Sequence, residues 1–144
     1  MKTLYTAEAL ATGEGRDGHG RTSDGKLDLD LAIPKEMGGS GNGTNPEQLF
    51  AIGYAACFEG ALGVVGRRME VDASDAVIDS KVSLLPNGSG GFDLAVALDV
   101  TLPSVSDRDK AVEVVRVSHT VCPYSNATRG NIEVTLTANG AAVE

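Results

Sequence analysis

The sequence predicts an α+β domain with a mainly antiparallel sheet and a buried helix. Its strand-like segments come in pairs joined by turns, and do not alternate with helices as in a parallel α/β sheet. One segment, residues 45–68, has the length and the end signals of a long helix. The 144 residues are 42% hydrophobic and 22% charged, as in ordinary globular proteins, and we expect one domain spanning residues 1–144.

The long helix is predicted from the stretch NPEQLFAIGYAACFEGALGVVGRR. Asn45 suits the N-cap, Pro46 suits the first helical position, and Gln48 stands at the capping-box position. Gly66, which two arginines follow, suits the C-terminal end. Small residues recur at intervals of four and would let another element approach closely. These small residues are Gly53, Cys57 and Ala61.

The region from Val71 to Pro103 predicts a β-hairpin. Its turn is PNGSGG, and apolar residues alternate without interruption over residues 92–102. Earlier in the chain, one strand is expected near the N-terminus and a second in the alternating stretch that leads to Pro34. A last strand is expected around Val134.

Two further helices are predicted after the hairpin. Ser106 with Asp109 forms a capping signal ahead of a segment with valines at helical spacing. The stretch CPYS begins a second, short helix with Pro123 at its first position. The valines of the first of these helices are Val112, Val115 and Val117.

The stretch GEGRDG, residues 13–18, matches the G-x-G-x-x-G pattern of a dinucleotide-binding loop. That pattern is meaningful only when a strand precedes the glycines and a helix follows them, so that pyrophosphate can sit on the helix N-terminus. Here a turn and an alternating strand pattern follow the glycines. The sequence therefore predicts no nucleotide site, and it leaves Arg16 in the middle of a glycine-rich turn.

Composition excludes several classes of function. A net charge of −8 without a stripe of Lys or Arg provides no surface for a phosphate backbone, so nucleic-acid binding is not expected. No apolar run approaches the roughly 20 residues that span a bilayer. The N-terminal segment lacks the continuous apolar core of a secretory signal. We therefore expect a cytoplasmic protein that does not enter the membrane.

The two cysteines are too few for a disulfide framework. Cys57 lies in the middle of the long helix among small and apolar residues, where a thiol commonly behaves as a small hydrophobic side chain. Cys122 stands at the cap of the short helix, where free backbone N–H groups and the helix dipole favour a thiolate. A turn cysteine selected for its size is the alternative there.

A metal site is a competing interpretation of the same thiols. The possible ligands are Cys57, Cys122, His19 and His119. Zinc sites usually contain close pairs of ligands along the chain, and only His119 and Cys122 form such a pair. The sequence therefore predicts no metal and no cofactor.

Arg16 and Glu47 have simple explanations, as a solvated turn arginine and as an acid that suits the first turn of a helix. Together with the thiols they suggest more. A buried thiol is no nucleophile until it ionises, and a nearby guanidinium lowers its pKa. An arginine in a partly apolar pocket needs a carboxylate to hold it. Arg16 would then activate one thiol, Glu47 would orient Arg16, and the second thiol would resolve the first.

The sequence resembles the organic hydroperoxide resistance proteins, the Ohr branch of the Ohr/OsmC family, over essentially its whole length. The resemblance is carried by NPEQLFAIGYAACFEGAL, by VCPYSNATRGNIEV and by the GRDG turn. The C-P-Y-S form of the second thiol is closer to Ohr than to its OsmC sister group. The resemblance implies an OsmC-like fold, with mainly antiparallel sheets packed around a long central helix, in an intertwined homodimer with active sites at the subunit interface.

The resemblance also assigns roles by position. The peroxidatic cysteine falls on Cys57 and the resolving cysteine on Cys122. The active-site arginine falls on Arg16 and its partner glutamate on Glu47. The implied activity is reduction of organic hydroperoxides, alkyl or fatty-acid, to alcohols through a sulfenic acid and then a disulfide between the two cysteines. The implied reductant is a lipoylated protein or another dithiol such as dihydrolipoamide.

Helix geometry gives an independent reason to expect a dimer. Ten residues of continuous helix would separate Glu47 from Cys57 by about 15 Å along the axis, too far for one compact site. Either the helix breaks between them or two chains cooperate. We predict a homodimer that supplies at least one of the four groups across the interface.

Two further expectations concern the surroundings of Cys57, namely the direction of Glu59 and the apolar residues near the thiol. Glu59 stands where relatives are expected to have an uncharged residue, and at about 200° from Cys57 around the helix it is expected to face elsewhere. An apolar approach to the thiol, built from Phe50 and from Phe92 or Tyr124, would favour bulky hydroperoxides over hydrogen peroxide.

Two other functions stay open. A redox sensor or a noncatalytic ligand-binding module of OsmC-like fold would keep both thiols, oxidise once and not turn over. The sequence offers such a sensor no DNA-binding helix and no basic face as an output. A structural protein with inert thiols would label poorly and would lose no activity on Cys57→Ser.

Overall fold

A computed structural model describes residues 1–144 as two compact units, Met1–Leu49 and Phe50–Glu144. Each unit contains its own sheet, and the first and longest helix, α1 (Pro46–Met69), begins in the first unit and continues into the second. The predicted α+β class is confirmed.

The first unit is a three-stranded antiparallel sheet. Strands β1 (Ala9–Thr12), β2 (His19–Thr22) and β3 (Asp28–Asp30) lie side by side in that order. The glycines of the sequence predict a turn over residues 19–22, and this prediction is wrong. The segment is short and polar, and it becomes a strand because it hydrogen-bonds to a strand on each side.

One face of this sheet carries an apolar groove of about 290 Å³. Leu10 and Leu27 remain about half exposed there, at 57% and 49%. The leucines that line the groove are Leu10, Leu27, Leu29, Leu31 and Leu49.

His19 binds two carboxylates of β3 at once. Its Nδ1 lies 2.8 Å from Asp30 Oδ1 and its Nε2 lies 2.5 Å from Asp28 Oδ1. The hydrogen bonds that the His19 ring donates to Asp30 and then to Asp28 raise the pKa of His19 above its usual value. The stabilisation of the β2–β3 pair is therefore fully present below the pKa of an unfolded histidine, and is lost as pH rises through the higher folded pKa.

We expect His19→Gln to remove this pH dependence. The protection factors of the amides in residues 19–22 and 28–30, which are exchange rates corrected for the intrinsic rate at each pH, should be larger at pH 6 than at pH 8.5 in the wild type. The difference should be a few-fold at most because the ring is exposed. His119→Gln is the control, because burial lowers the pKa of His119 and its linkage has the opposite sign. Equal pH dependence in His19→Gln and wild type would contradict the assignment.

Helix α1 begins as predicted. The backbone N–H of Gln48 donates to Asn45 Oδ1 at 2.8 Å, which makes Asn45 the N-cap. The Gln48 side chain does not complete a capping box, because it accepts a hydrogen bond from the Thr44 hydroxyl at 2.9 Å.

The helix ends at Met69, one residue beyond the predicted segment, and Gly66 lies within its last turn. Glu70 adopts the left-handed conformation with φ of 58°, and the Val71 N–H donates back to the Gly66 carbonyl. Gly66 is needed for space: a Cβ there would lie 3.1 Å from Ala73 Cβ. The glycine thus marks a close approach of the chain after the helix and not the helix end.

The expectation that no segment could span a membrane also needs correction, because α1 is long and apolar enough by length and composition. One such helix is a weak indication, since core helices of soluble proteins share these features. Its most buried residues belong to the core of the second unit, and 33% of the apolar window is buried. The fully buried members are Tyr54, Phe58, Leu62 and Val65.

The second unit has a four-stranded sheet in the order β4 (Val77–Pro86), β5 (Phe92–Thr101), β6 (Glu133–Ala138) and β7 (Ala141–Val143). The predicted hairpin is confirmed as the antiparallel pair β4–β5. Strand β6 pairs with β5 in parallel, so the sheet is mixed and only mainly antiparallel.

Helices α2 (Arg108–Val121) and α3 (Pro123–Thr128) connect β5 to β6. The N-cap of α2 is Asp107, whose carboxylate accepts from the Lys110 N–H, so the predicted Ser106 cap is displaced by one residue. Helix α2 buries one face against the sheet, and the α3 segment turns away at Cys122. These two helices bring the second thiol back to the first.

Candidate active site

The two thiols lie side by side in the second unit. Cys122 Sγ is 3.4 Å from Cys57 Sγ, although 65 residues separate them, and both cysteines are free. Cys122 is fully buried, whereas Cys57 is partly exposed. A reagent from solution would therefore meet Cys57 first, with Cys122 directly behind it.

Local chain geometry places Cys122 at a helix junction. It ends α2, where its N–H donates to the Ser118 carbonyl, and it also precedes Pro123 at the start of α3. Its backbone is extended, with φ of −63° and ψ of 123°, so the chain turns there. Pro123 cannot donate to the preceding turn, which makes it compatible with a helix start and not with a continuation of α2.

Burial raises the pKa of the Cys57 thiol above its ordinary value, and the neighbouring Cys122 raises it further. A hydrogen bond from the backbone N–H of Tyr124 works in the opposite direction. The second unit alone therefore keeps Cys57 mostly protonated near neutral pH. A fast nucleophile at this position requires an added positive charge.

The first unit contains an arginine, Arg16, whose guanidinium is held in a fixed orientation by a carboxylate. Arg16 donates two parallel hydrogen bonds to Glu47, from Nη1 at 2.8 Å and from Nη2 at 2.6 Å. The pair is partly buried, with 35% of the Arg16 side chain and 16% of the Glu47 side chain exposed. The bond from Arg16 holds the pKa of Glu47 below its usual value, so the carboxylate stays charged and fixes the plane of the guanidinium.

The glycine-rich stretch forms a tight turn that presents this arginine. Arg16 lies in a one-turn 3-10 helix, Gly15–Asp17, and Gly15 has a positive φ of 64°. A Cβ on Gly18 would stand 2.1 Å from the Thr12 carbonyl oxygen. The Asp17 carboxylate fixes the turn from the other side by accepting the Ile33 N–H at 3.0 Å. The glycines thus allow close backbone packing around an outward arginine.

Three aromatic rings from α1 and α3 form a cluster in the second unit. Phe50, Tyr54 and Tyr124 form a cluster with ring centroids 5.7–5.9 Å apart. Gly53 makes room for it, since a Cβ there would come within 2.9 Å of the Tyr124 hydroxyl. Phe50 and Tyr124 were predicted members, whereas Phe92 is 67% exposed at the start of β5 and is not part of the cluster.

The sequence gives no signal that distinguishes Tyr54 as a member of this aromatic cluster. A tyrosine inside an apolar helix resembles any core aromatic, and its hydrogen-bond partners lie more than 70 residues away.

Helix α1 runs unbroken between Glu47 and Cys57, which removes one of the two alternatives raised by their spacing. The rise of a continuous helix over ten residues is about 15 Å. Glu59, the one unexpected charge near the thiol in sequence, is exposed as predicted.

The two histidines have other partners than the thiols. His19 is held by the carboxylates of β3, and His119 has a buried Nδ1 without a hydrogen-bond partner. Arg129 donates to the His119 carbonyl at 2.8 Å.

The fold and the paired thiols define a class of protein. It is a small α+β protein in which a long helix holds one cysteine next to a second cysteine at a helix junction. The sequence model of the OsmC-like protein family matches residues 39–137. The organic hydroperoxide resistance protein of Xanthomonas axonopodis pv. citri is 51% identical over 140 residues, which cover 94% of this chain and 95% of that protein.

Solved structures give the same result. An organic hydroperoxide resistance protein assigned in Vibrio cholerae, crystallised with captopril in one of its active sites, has a TM-score of 0.92 at 49% identity, over 99% of this chain and 97% of that one. The organic hydroperoxide resistance protein OhrB of Bacillus subtilis has a TM-score of 0.81 at 46% identity, over 93% of this chain and 98% of that one. The chain belongs to the OsmC-like family, in its organic hydroperoxide resistance branch.

Proposed function

We propose that the protein is a thiol peroxidase that reduces organic hydroperoxides to alcohols. The observation that carries the proposal is the 3.4 Å separation of a partly exposed and a fully buried free thiol. That arrangement suits a nucleophile with a resolving partner behind it. The relatives named organic hydroperoxide resistance proteins support the choice of substrate.

In the first step, the Cys57 thiolate attacks the distal oxygen of the hydroperoxide. The O–O bond breaks, the alkoxide leaves and takes a proton to become the alcohol, and the sulfur keeps one oxygen as a sulfenic acid. Cys57 is oxidised by two electrons and the hydroperoxide is reduced by two.

In the second step, the Cys122 sulfur displaces the hydroxyl of the sulfenic acid. A Cys57–Cys122 disulfide forms and water leaves. A dithiol then reduces the disulfide and becomes a disulfide itself. The resemblance to the organic hydroperoxide resistance proteins favours dihydrolipoamide or a lipoylated protein as that dithiol.

Arg16 supplies the positive charge that the buried thiol requires. Its guanidinium, fixed by Glu47, stabilises the Cys57 thiolate and the developing charge on the leaving oxygen. The pKa of Cys57, which burial raises, would fall again beside this charge.

The catalytic unit in this proposal is a homodimer that supplies at least one of these groups across its interface. Ile52 on the central helix is 70% exposed, and the leucine groove of the first unit is apolar and open. Exposed apolar surfaces of this kind commonly mark interfaces.

The apolar rings near the thiols favour alkyl or fatty-acid hydroperoxides over hydrogen peroxide. We also propose that the protein acts in the cytoplasm.

The test compares consumption of cumene hydroperoxide and hydrogen peroxide by purified protein with dihydrolipoamide. We expect rapid turnover of cumene hydroperoxide, slower turnover of hydrogen peroxide, and loss of essentially all activity in Cys57→Ser. An exposed-residue variant, Ser106→Ala, serves as the handling control. Stoichiometric oxidation of Cys57 that never cycles would contradict the peroxidase and favour the redox sensor.

A further inference from the structure

Tyr54 connects α1, which contains Cys57, to α3, which begins directly after Cys122, through hydrogen bonds. It lies in α1, three residues before Cys57, and its side chain is fully buried. Its hydroxyl is 2.8 Å from Ser125 Oγ and 3.2 Å from Thr128 Oγ1, both in α3. Helix α3 has only six residues, too few to be stable alone, so its position depends on contacts such as these.

The direction of these hydrogen bonds is fixed by counting protons. Thr128 donates the proton of its hydroxyl to the Tyr124 carbonyl at 2.9 Å, and a carbonyl can only accept. Thr128 Oγ1 must therefore accept from Tyr54. The Tyr54 proton is then used, so Ser125 must donate to Tyr54. Three buried hydroxyls thus form one chain that ends on the Tyr124 carbonyl.

The end of this chain is the residue that also contacts the nucleophile. The backbone N–H of Tyr124 lies near enough to the Cys57 sulfur to lower the pKa of the thiol, and Tyr124 follows Cys122 by two residues. Tyr124 is therefore held through its carbonyl by the hydroxyl chain, close to the thiol pair. Movement of α3 would change the position of Cys122 against Cys57.

We propose that the Tyr54 hydroxyl is a positioning group for the resolving step, in which Cys122 condenses with the oxidised Cys57. The sulfurs stand 3.4 Å apart and must approach to about 2.05 Å for a bond. The competing reaction is attack of the Cys57 sulfenate on a second hydroperoxide, which gives a sulfinic acid and another molecule of alcohol. By holding α3, Tyr54 favours the disulfide over the sulfinic acid. This inference rests on the proposed function.

The direct test is Tyr54→Phe, which removes one oxygen and keeps the ring. We expect the rate of Cys57 oxidation by cumene hydroperoxide to change by less than about two-fold, and disulfide formation to slow about ten-fold, since misplacement by about 1 Å can cost more than that. The hydroperoxide concentration that inactivates half of the protein should fall in proportion. Thr128→Val breaks the same chain and should act in the same direction.

Controls separate positioning from damage to the fold. Tyr5→Phe makes the same chemical change at a tyrosine that is 79% exposed, and should match the wild type. Circular dichroism and thermal melting must show that Tyr54→Phe is folded. The double variant Tyr54→Phe/Thr128→Val should be no worse than the more affected single variant, because both substitutions break one chain.

A second assay needs no hydroperoxide. The reagent 5,5′-dithiobis(2-nitrobenzoate) should modify the partly exposed Cys57, after which Cys122 displaces a second nitrothiobenzoate and closes the disulfide. The second release should be about ten-fold slower in Tyr54→Phe. If the second release is slow in Tyr54→Phe but the wild type does not turn over hydroperoxide, the proposed peroxidase activity is overturned and the positioning role of Tyr54 stands. Release at the wild-type rate from folded Tyr54→Phe would overturn the positioning role.

Discussion

Cys122→Ser should convert the protein from a catalyst into a reagent that reacts once and is then damaged. Cys57 remains in place, so the first oxidation should keep a rate within a few-fold of the wild type. The buried sulfur 3.4 Å away is gone, and no intramolecular disulfide can form. Turnover with dihydrolipoamide should fall about ten-fold or more, because a dissolved thiol replaces a neighbour of high effective concentration.

Mass spectrometry after hydroperoxide treatment checks this result. The variant should accumulate Cys57 sulfinic acid with two added oxygens, whereas the wild type should accumulate the disulfide. Cys122→Ala separates loss of the thiol from any effect of the new hydroxyl and should give the same product. Undiminished cycling in both variants would show that Cys122 does not resolve the sulfenic acid.

Arg16→Ala should lower the rate of Cys57 oxidation near neutral pH by about 10²- to 10³-fold, the usual effect of removing one aligned electrostatic group. Glu47→Gln should have a smaller effect of the same sign, because the guanidinium loses its carboxylate partner but keeps its charge. Stopped-flow oxidation by cumene hydroperoxide measures both.

The pH profile distinguishes a charge effect from a fold defect. Burial raises the pKa of Cys57, so without the guanidinium the thiolate fraction should rise about ten-fold per pH unit up to that pKa. The Arg16→Ala rate should follow this slope between pH 7 and 9 and recover part of the loss at high pH, while the wild type should vary much less. The part that is not recovered measures the stabilisation of the leaving oxygen by Arg16. Arg68→Ala removes an exposed arginine from α1 and should match the wild type. A uniform loss in Arg16→Ala at every pH would contradict the proposal that Arg16 lowers the pKa of Cys57.

Local signals in the sequence predicted the elements that depend on neighbouring residues. The hairpin β4–β5 follows from alternation and a glycine-rich turn, and the start of α1 follows from the Asn45 cap. The parallel pairing of β6 with β5 could not be predicted this way, because alternation is the same in either direction. The end of α1 was predicted within one residue, but the reason for Gly66 was not, because the glycine allows close packing against Ala73 after the helix.

The candidate site was predictable in its residues and much less in its geometry. Arg16 and Glu47 could be paired by charge and chemistry, and the structure contains that pair. Proximity of Cys57 and Cys122 came from the resemblance alone, since no local pattern links residues 65 positions apart. The role proposed for Tyr54 could not be predicted, because it depends on hydroxyls of α3 that meet Tyr54 only in the folded chain.

The 65-residue separation of the thiols also connects oxidation to the denatured ensemble. A bond between them would close a loop containing the second half of α1, the hairpin and α2, and would remove conformational freedom from the unfolded chain worth about 4 kcal/mol. The native structure changes little because the sulfurs are already neighbours. The oxidised protein would thus be the more heat-resistant form, and each reduction by a dithiol would return the chain to its less constrained state.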